Sequence, residues 1–375
     1  MTPNPDSDFE RLRQQSHDMA SFPRAQASRP LWIFGCGRFG RDICAALTGE
    51  GFEVSGFIQT EPSQRCLHGR PVKRWNELSS ADLTAQLAIG IHNREMPLAH
   101  LEKIARAAGF SEVLLPWHLH AQFEHQLGWR YWLGKPELIT NRWNELEKAH
   151  AILTDEKSRE CLRDICRFRL GMHTAYGHFR HETRQYFNAL TLNANTPQVI
   201  RYVDGGAYNG DTFLEFACLH QIGQAYLFEP DPDNFATLQV NIQRSGENVY
   251  TVPVALSDRY QMLSFSGGHG EAGTIKPQGS TCIAAMALDE FLPTQCVDFI
   301  KLDVEGGEIA ALNGAKRLIE RCRPTLAVSA YHKPQDLWEI SLWLGEHCPD
   351  YEFALRQHHY NSFDSVLYAT PRTTS

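Results

Sequence analysis

The sequence predicts an α/β protein built from two doubly wound sheets joined by a helical connector. Three observations predict this. LWIFGCGRFG at 31–40 and VIRYVDGGAYNGDTF at 199–213 each read as strand, glycine turn, helix, the opening unit of a doubly wound sheet. Each is followed by further β-rich runs alternating with helical patterns. Between them, residues 121–195 are poor in glycine and carry aromatic and charged residues at helical spacing. The expected division is therefore a polar arm at 1–28, a first α/β domain at 29–120, a helical connector and lid at 121–195, and a second α/β domain at 196–375.

The arm, with Pro3, Pro5 and Pro23, reads as loosely held, with room for one short helix. In the first domain Leu31-Trp32-Ile33-Phe34 is a buried strand. It runs into Gly35-Cys36-Gly37-Arg38-Phe39-Gly40, a G-x-G-x-x-G, and a helix over 41–47. Strands are expected at 52–58, 88–91 and 112–115, with a helix at 97–108. A dinucleotide site needs an acid at the end of the second strand to grip a ribose diol, and Gln59 stands there instead. In the connector, 146–170 reads as one or two amphipathic helices. His173, His178 and His181 lie close together there, but without a carboxylate in register they read as packing or solvated residues.

Strand one of the second domain, 199–203, ends in Asp204 and the turn Gly205, Gly206, Gly210. Glycine lets the backbone approach a ligand closely. The spacing is G-G-x-x-x-G, and an acid precedes it. A diphosphate wants a bare helix N-terminus; an acid at the turn suits a positively charged amine. S-adenosyl-L-methionine has such an amine, a sulfonium and no phosphate. Strand two, 225–228, ends in Glu229 and Asp231, about 25 residues past Asp204, near the spacing at which an acid meets ribose hydroxyls. Otherwise the two acids simply start the next helix, expected at 234–244.

Strand three is expected at 249–256, a loop or small hairpin at 263–279, strand four at 297–302 and strand five at 324–329. Helices are expected at 308–322 and 336–346, and a closing antiparallel pair at 351–356 and 365–369. Seven strands ending in such a hairpin make the sheet of class I methyltransferases.

VDGGAYNGDTF, YLFEPDP, VALSD, LDEFL, VDFIKLDVEGGEIAALNGA and SAYHKPQDLWEI resemble the FkbM family of S-adenosylmethionine-dependent methyltransferases. The resemblance covers roughly the C-terminal half; TDEKSRE and QYF ahead of it are also similar to some members. It implies O-methylation of a hydroxyl on a sugar, a polyketide or another small secondary product. In the first domain, IFGCGRFG, GFEVSGFI and the run from AIGIHNRE to VLLPWHLH resemble the small Rossmann-like N-terminal domain of bacterial sugar O-acyltransferases. That resemblance implies a nucleotide-sugar ligand; a purely structural domain is the alternative.

Ligands of such sheets sit beyond the carboxyl ends of the strands. Asp204 and the turn Gly205, Gly206, Ala207, Tyr208, Asn209, Gly210 are expected to hold the methionine part. Tyr208 or Asn209 would lie beside its carboxylate or sulfonium, with Thr212 opening the helix. Glu229, with Asp231, takes the ribose. Asp258 accepts from the adenine amine, or is a plain loop acid, and Leu256 or Ser257 lies against the ring. Asp303, ending strand four, orients the acceptor hydroxyl, and Glu305 caps the helix beyond. His332, ending strand five, is the first candidate for a base, since histidine has a suitable pKa. His358 and His359 are alternatives. No metal set is legible, although Asp303 and His332 could share an ion.

The balance of 36 Lys and Arg against 44 Asp and Glu, a formal charge of −8, argues against nucleic acid as the main partner. No apolar run reaches membrane-span length, and MTPNPDSDFERLRQQ lacks the order of a signal peptide. Ten scattered cysteines without C-x-x-C suggest reduced thiols in the cytoplasm. The homo-oligomeric state stays open. Two readings compete with the methyltransferase: a nicotinamide- or nucleotide-sugar-dependent enzyme using Gly35–Gly40, and a non-catalytic cofactor-binding module.

Overall fold

The computed structural model describes residues 5–17, 22–175, 183–192, 196–246, 248–266, 274–275 and 281–372. His178 and His181 lie outside them, as does much of the glycine-rich stretch expected to be a loop or small hairpin.

The first sheet contains β1 (Leu31–Phe34), β2 (Val54–Ile58), β3 (Cys66–Leu67), β4 (Arg70–Lys73), β5 (Gln86–Ile89) and β6 (Val113–Leu114). Their order is β3-β4-β2-β1-β5-β6. All neighbours are parallel except the β3–β4 hairpin, which the sequence pattern did not announce. β1 is buried along its whole length, as expected of an apolar run covered on both faces.

The second sheet begins with β7 (Val199–Gly205), β8 (Gln221–Phe228) and β9 (Val249–Val252). A small four-stranded sheet follows, made of β10 (Ala255–Leu256), β11 (Gln261–Ser266), β12 (Thr274–Ile275) and β13 (Thr281–Met286). The chain then returns to the main sheet with β14 (Phe299–Leu302), β15 (Thr325–Ser329), β16 (Tyr351–Gln357) and β17 (Ser365–Pro371). The order of this seven-stranded sheet is β16-β17-β15-β14-β7-β8-β9, with only β17 antiparallel to its neighbours. The strand order reverses between β7 and β14, and a doubly wound sheet binds its ligand at such a switch point.

Two expectations change. The third strand ends at Val252 because Pro253 has no N–H for the ladder; Ala255 and Leu256 pair instead with β13. The helix expected over 308–322 is two helices, Glu308–Asn313 and Lys316–Cys322. Between them, Gly314 packs so closely that a Cβ would collide with the carbonyl oxygen of Ser257.

The N-terminal arm is not loose in its described part. It forms the helix Pro5–His17, which buries Phe9 and Leu12; Phe9 meets the edge of Trp143 at 5.7 Å between ring centroids. The connector supplies the helices Trp143–Ile152 and Glu156–Arg169. One continuous core runs from Phe9 through the first sheet and the connector to Ala369 in β17. A second fills the other face of the large sheet around Tyr202, Phe216 and Phe299. The two sheets therefore share a core, and loops of the first are fastened to the second. Asn361, between β16 and β17, accepts from Leu98 N (2.9 Å) and donates to the carbonyls of Asn93 and Met96 (both 2.7 Å).

Candidate active site

A cleft of about 610 Å³ opens beyond the carboxyl ends of β7, β8, β14 and β15, large enough for a small-molecule ligand with space beside it. The turn after β7 forms one side. Gly206 N and Ala207 N both donate to Phe228 O (3.0 and 2.9 Å), folding the turn against the end of β8. Gly206 has φ +77°, and a Cβ there would collide with the carbonyl oxygen of Asp303, so only glycine fits. Gly206, Tyr208 and Thr212 line the cleft; Gly205, Ala207, Asn209 and Gly210 support the turn without lining it.

Glu229 lies at the end of β8. Its Oε2 accepts from Tyr208 N (2.8 Å) and its Oε1 from Asp231 N (2.9 Å). Both oxygens are thus fixed while the carboxylate still lines the cleft. Burial pushes its pKa up to about 7. Asp231 also reaches the cleft wall, and it caps the helix Pro232–Asn241 by accepting from Asp233 N and Asn234 N. Asp231 is thus the helix cap that the sequence had left as an alternative, while both acids also line the cleft.

Asp204 does not face the cleft. Its side chain is fully buried, 2.9 Å from the ammonium of Lys301 on the neighbouring strand, and it accepts from Tyr202 Oη (2.9 Å). The expectation that Asp204 meets the methionine amine is corrected on this point: its charge is spent inside the sheet. Lys301, which the sequence reading did not single out, lines the cleft and donates to Gly206 O (2.6 Å). Burial opposes its charge, yet Asp204 and Asp303 hold its pKa above the ordinary value.

The far end of the cleft is apolar, with Val254, Leu256 and Ile283 on its wall. Leu256 is where an adenine ring was expected. Ser257 and Asp258 are not: Ser257 is buried and accepts from Gln261 Nε2 (2.7 Å), and Asp258 pairs with Arg259 at 3.0 Å. Both are absent from the cleft wall because the chain turns into β11 just beyond Leu256.

Asp303 ends β14 and lines the cleft. Its Oδ2 accepts from Tyr186 Oη at 2.9 Å. Burial pushes its pKa up, but Lys301 and His332 outweigh that and hold it below the usual range. Glu305 is not a helix cap. The helix begins after Gly307, and it is Glu308 whose Oε1 accepts from Val304 N (3.0 Å); Glu305, with φ +52°, lines the cleft.

His332 is fully buried. Its Nδ1 lies 2.8 Å from Glu308 Oε1, and its Nε2 lies 3.3 Å from Asp303 Oδ1 and 3.7 Å from Glu305 Oε1. Burial works against its charge, but the three carboxylates raise its pKa well above the ordinary value. Fully buried and off the cleft wall, the imidazole cannot reach an acceptor directly as a base, so that expectation is corrected. His358 and His359 also stay off the cleft wall; His358 Nε2 meets Tyr368 Oη at 2.6 Å and His359 Nδ1 meets Asp364 Oδ2 at 2.6 Å.

Part of the cleft wall comes from the first sheet and connector. His92, Asn93, Arg94 and Glu95 follow β5, and Tyr131 follows them in the connector. The glycines after β1 have packing duties of their own: a Cβ on Gly35 would strike Ile91 and one on Gly40 the carbonyl oxygen of Gly35, whereas Gly37 faces open space. That explains two glycines of the G-x-G-x-x-G without a ligand.

Residues 204–361 match the family model described as the methyltransferase FkbM domain. The crystal structure of methyltransferase FkbM from Methylobacillus flagellatus KT is similar, with a TM-score of 0.76 at 21% identity, covering 97% of this chain and 99% of that one; this shows the fold. Weaker likenesses include an rRNA methylase from Streptococcus thermophilus, with TM-score 0.34, 12% identity and coverage of 48% of this chain and 90% of that one. Another is Aeropyrum pernix fibrillarin in complex with natively bound S-adenosyl-L-methionine, with TM-score 0.29, 14% identity and coverage of 46% and 66%. No curated protein matches the chain. The cleft fits the cofactor: a fixed carboxylate at the end of β8, a glycine turn after β7 and an apolar end wall lie in one space. Residues 204–361 are a methyltransferase FkbM domain, and S-adenosyl-L-methionine is the cofactor that goes with it.

Proposed function

We propose that the protein transfers a methyl group to a hydroxyl of a sugar, polyketide or related small molecule. The observation that carries this reading is that Glu229 and Asp303, at the ends of β8 and β14, line one cleft together with the polar segment 92–95. The cofactor, when bound, supplies an electrophilic methyl on a sulfonium.

In this reading the residues of the chain bind and orient. Glu229 accepts from the ribose hydroxyls, since a carboxylate can hold a vicinal diol. The Gly206–Tyr208 turn meets the amino-acid part, and Val254, Leu256 and Ile283 enclose the adenine. Asp303 accepts the hydrogen bond of the acceptor hydroxyl and aligns its oxygen, and alignment supplies much of the rate in such a displacement. Asn93, Arg94 and Glu95 offer hydrogen-bonding partners to a hydroxyl-rich acceptor. We assign 29–120 to a domain that walls the acceptor site, 121–195 to the connector and 196–375 to the methyltransferase domain. All ten cysteines are free thiols, which suits a cytoplasmic location.

The test is methyl transfer from labelled S-adenosyl-L-methionine to a panel of sugars and polyketide alcohols, alongside amine and thiol analogues. A hydroxyl acceptor gaining one methyl supports the proposal; transfer to nitrogen or sulfur alone contradicts it.

A further inference from the structure

Asp303, Glu305, Glu308 and His332 converge at the cleft floor. Ligand atoms of Asp303, Glu308 and His332 all lie within 4.8 Å of one another. The imidazole is held from one side: Nδ1 sits 2.8 Å from Glu308 Oε1. Glu308 is itself anchored by Val304 N and Gly306 N. That clamp points Nε2 at Asp303 Oδ1 and Glu305 Oε1, 3.3 and 3.7 Å away. Nε2 is fully buried and makes no hydrogen bond.

A carboxylate on the far nitrogen of a histidine, fixing its ring and raising its basicity, is the outer support found behind histidine metal ligands. The 3.3 Å between Nε2 and Asp303 Oδ1 is near that of neighbouring ligands on one ion, which lie about 3 Å apart when each is about 2.1 Å from a metal, and Glu305 Oε1 stands 3.7 Å from Nε2, a gap that a side-chain rotation closes. The charge agrees. Three carboxylates surround a single imidazole; of the two lysines beside them, Lys301 acts on Asp303 but is itself paired with Asp204 at 2.9 Å, and Lys333 donates to the carbonyl of Gly306.

We propose that Asp303, Glu305 and His332 bind a divalent cation, with Glu308 as the positioning residue behind His332. A mixed nitrogen and oxygen set suits Mn²⁺ or Zn²⁺. Asp303 and Glu305 line the cleft, so the open coordination positions face the acceptor. The cation would hold the acceptor oxygen and lower the pKa of its hydroxyl, whose proton passes to water as the methyl moves from the sulfonium to the oxygen. This answers a gap in the site, since His332 is screened from the cleft. The role in transfer rests on the methyltransferase reading, but binding of the ion does not.

The full chain, stripped with EDTA, is titrated with Mn²⁺ and the free ion is followed by electron paramagnetic resonance. S-adenosylhomocysteine is titrated calorimetrically into the same samples to report an intact cleft. One saturable Mn²⁺ site is expected, weakened by about tenfold or more in Asp303→Asn, Glu305→Gln and Glu308→Gln. Folded wild type that takes up no Mn²⁺ overturns the proposal, as does undiminished Mn²⁺ affinity in all three variants. Mn²⁺ binding without S-adenosylhomocysteine binding leaves the cation site standing and removes the methyltransferase reading.

Discussion

Lys301 and Asp204 stand opposite each other in the register of β14 and β7, their charged atoms 2.9 Å apart and both sealed from solvent. The pair does more than neutralise itself. Through its bond to Gly206 O, Lys301 fixes the turn that forms one side of the cleft. Breaking a buried pair from one side leaves an uncompensated charge. Lys301→Met is expected to lose about 3–5 kcal/mol in urea unfolding. Adding Asp204→Asn, which keeps a partner for Tyr202, should recover most of that loss. A double variant no more stable than Lys301→Met would contradict this.

Glu229 gives the ligand-free protein a pH dependence. Its folded pKa of about 7 is above the ordinary 4.5, so between those values the folded state binds more protons than the unfolded one. Stability from this group is present below the lower value and is lost as pH rises through the higher one, by about 3 kcal/mol in all. Stability of Glu229→Gln should fall less over this window. Affinity for S-adenosylhomocysteine should run the other way in wild type, rising as the carboxylate forms, and stay weak and flat in the variant. Calorimetry and thermal melts across the window check both.

The two glycine turns should respond differently. Gly206→Ala drives a Cβ into the Asp303 carbonyl at φ +77° and is expected to destabilise by about 3 kcal/mol or more. Gly37→Ala meets nothing within 4 Å; it only weakens a helix N-cap, by about 1 kcal/mol. Urea melts separate the two outcomes.

The first sheet's wall predicts a specificity effect. Arg94 lines the cleft and lies 3.7 Å from Asp364. Arg94→Ala should raise KM for the acceptor by about tenfold while leaving KM for S-adenosyl-L-methionine unchanged. Equal rises in both would place Arg94 outside acceptor recognition.

The strand ends were legible in the sequence because a strand followed by a glycine turn is a local pattern. Gly206, Glu229, Leu256 and Asp303 all reach the cleft on that basis. What failed was pairing across the chain. Asp204 looked like a ligand because its partner, Lys301, belongs to β14 and no spacing links them. His332 looked like a base because the carboxylates around it come from the loop after β14 and the start of the helix beyond it. The segment 92–95 is held at the cleft by tertiary contacts without a sequence signature, Asn361 donating to the carbonyl of Asn93 and Tyr360 N to that of Arg94. The side sheet built on β10 was hidden as well, although Pro253 was a readable reason for β9 to stop.

Calorimetric titration of S-adenosylhomocysteine into wild type and Glu229→Ala decides whether this cleft holds the cofactor. Saturable binding to wild type and its loss in Glu229→Ala is the expected result. No binding to folded wild type, or equal binding to both proteins, would contradict the assignment of the cleft.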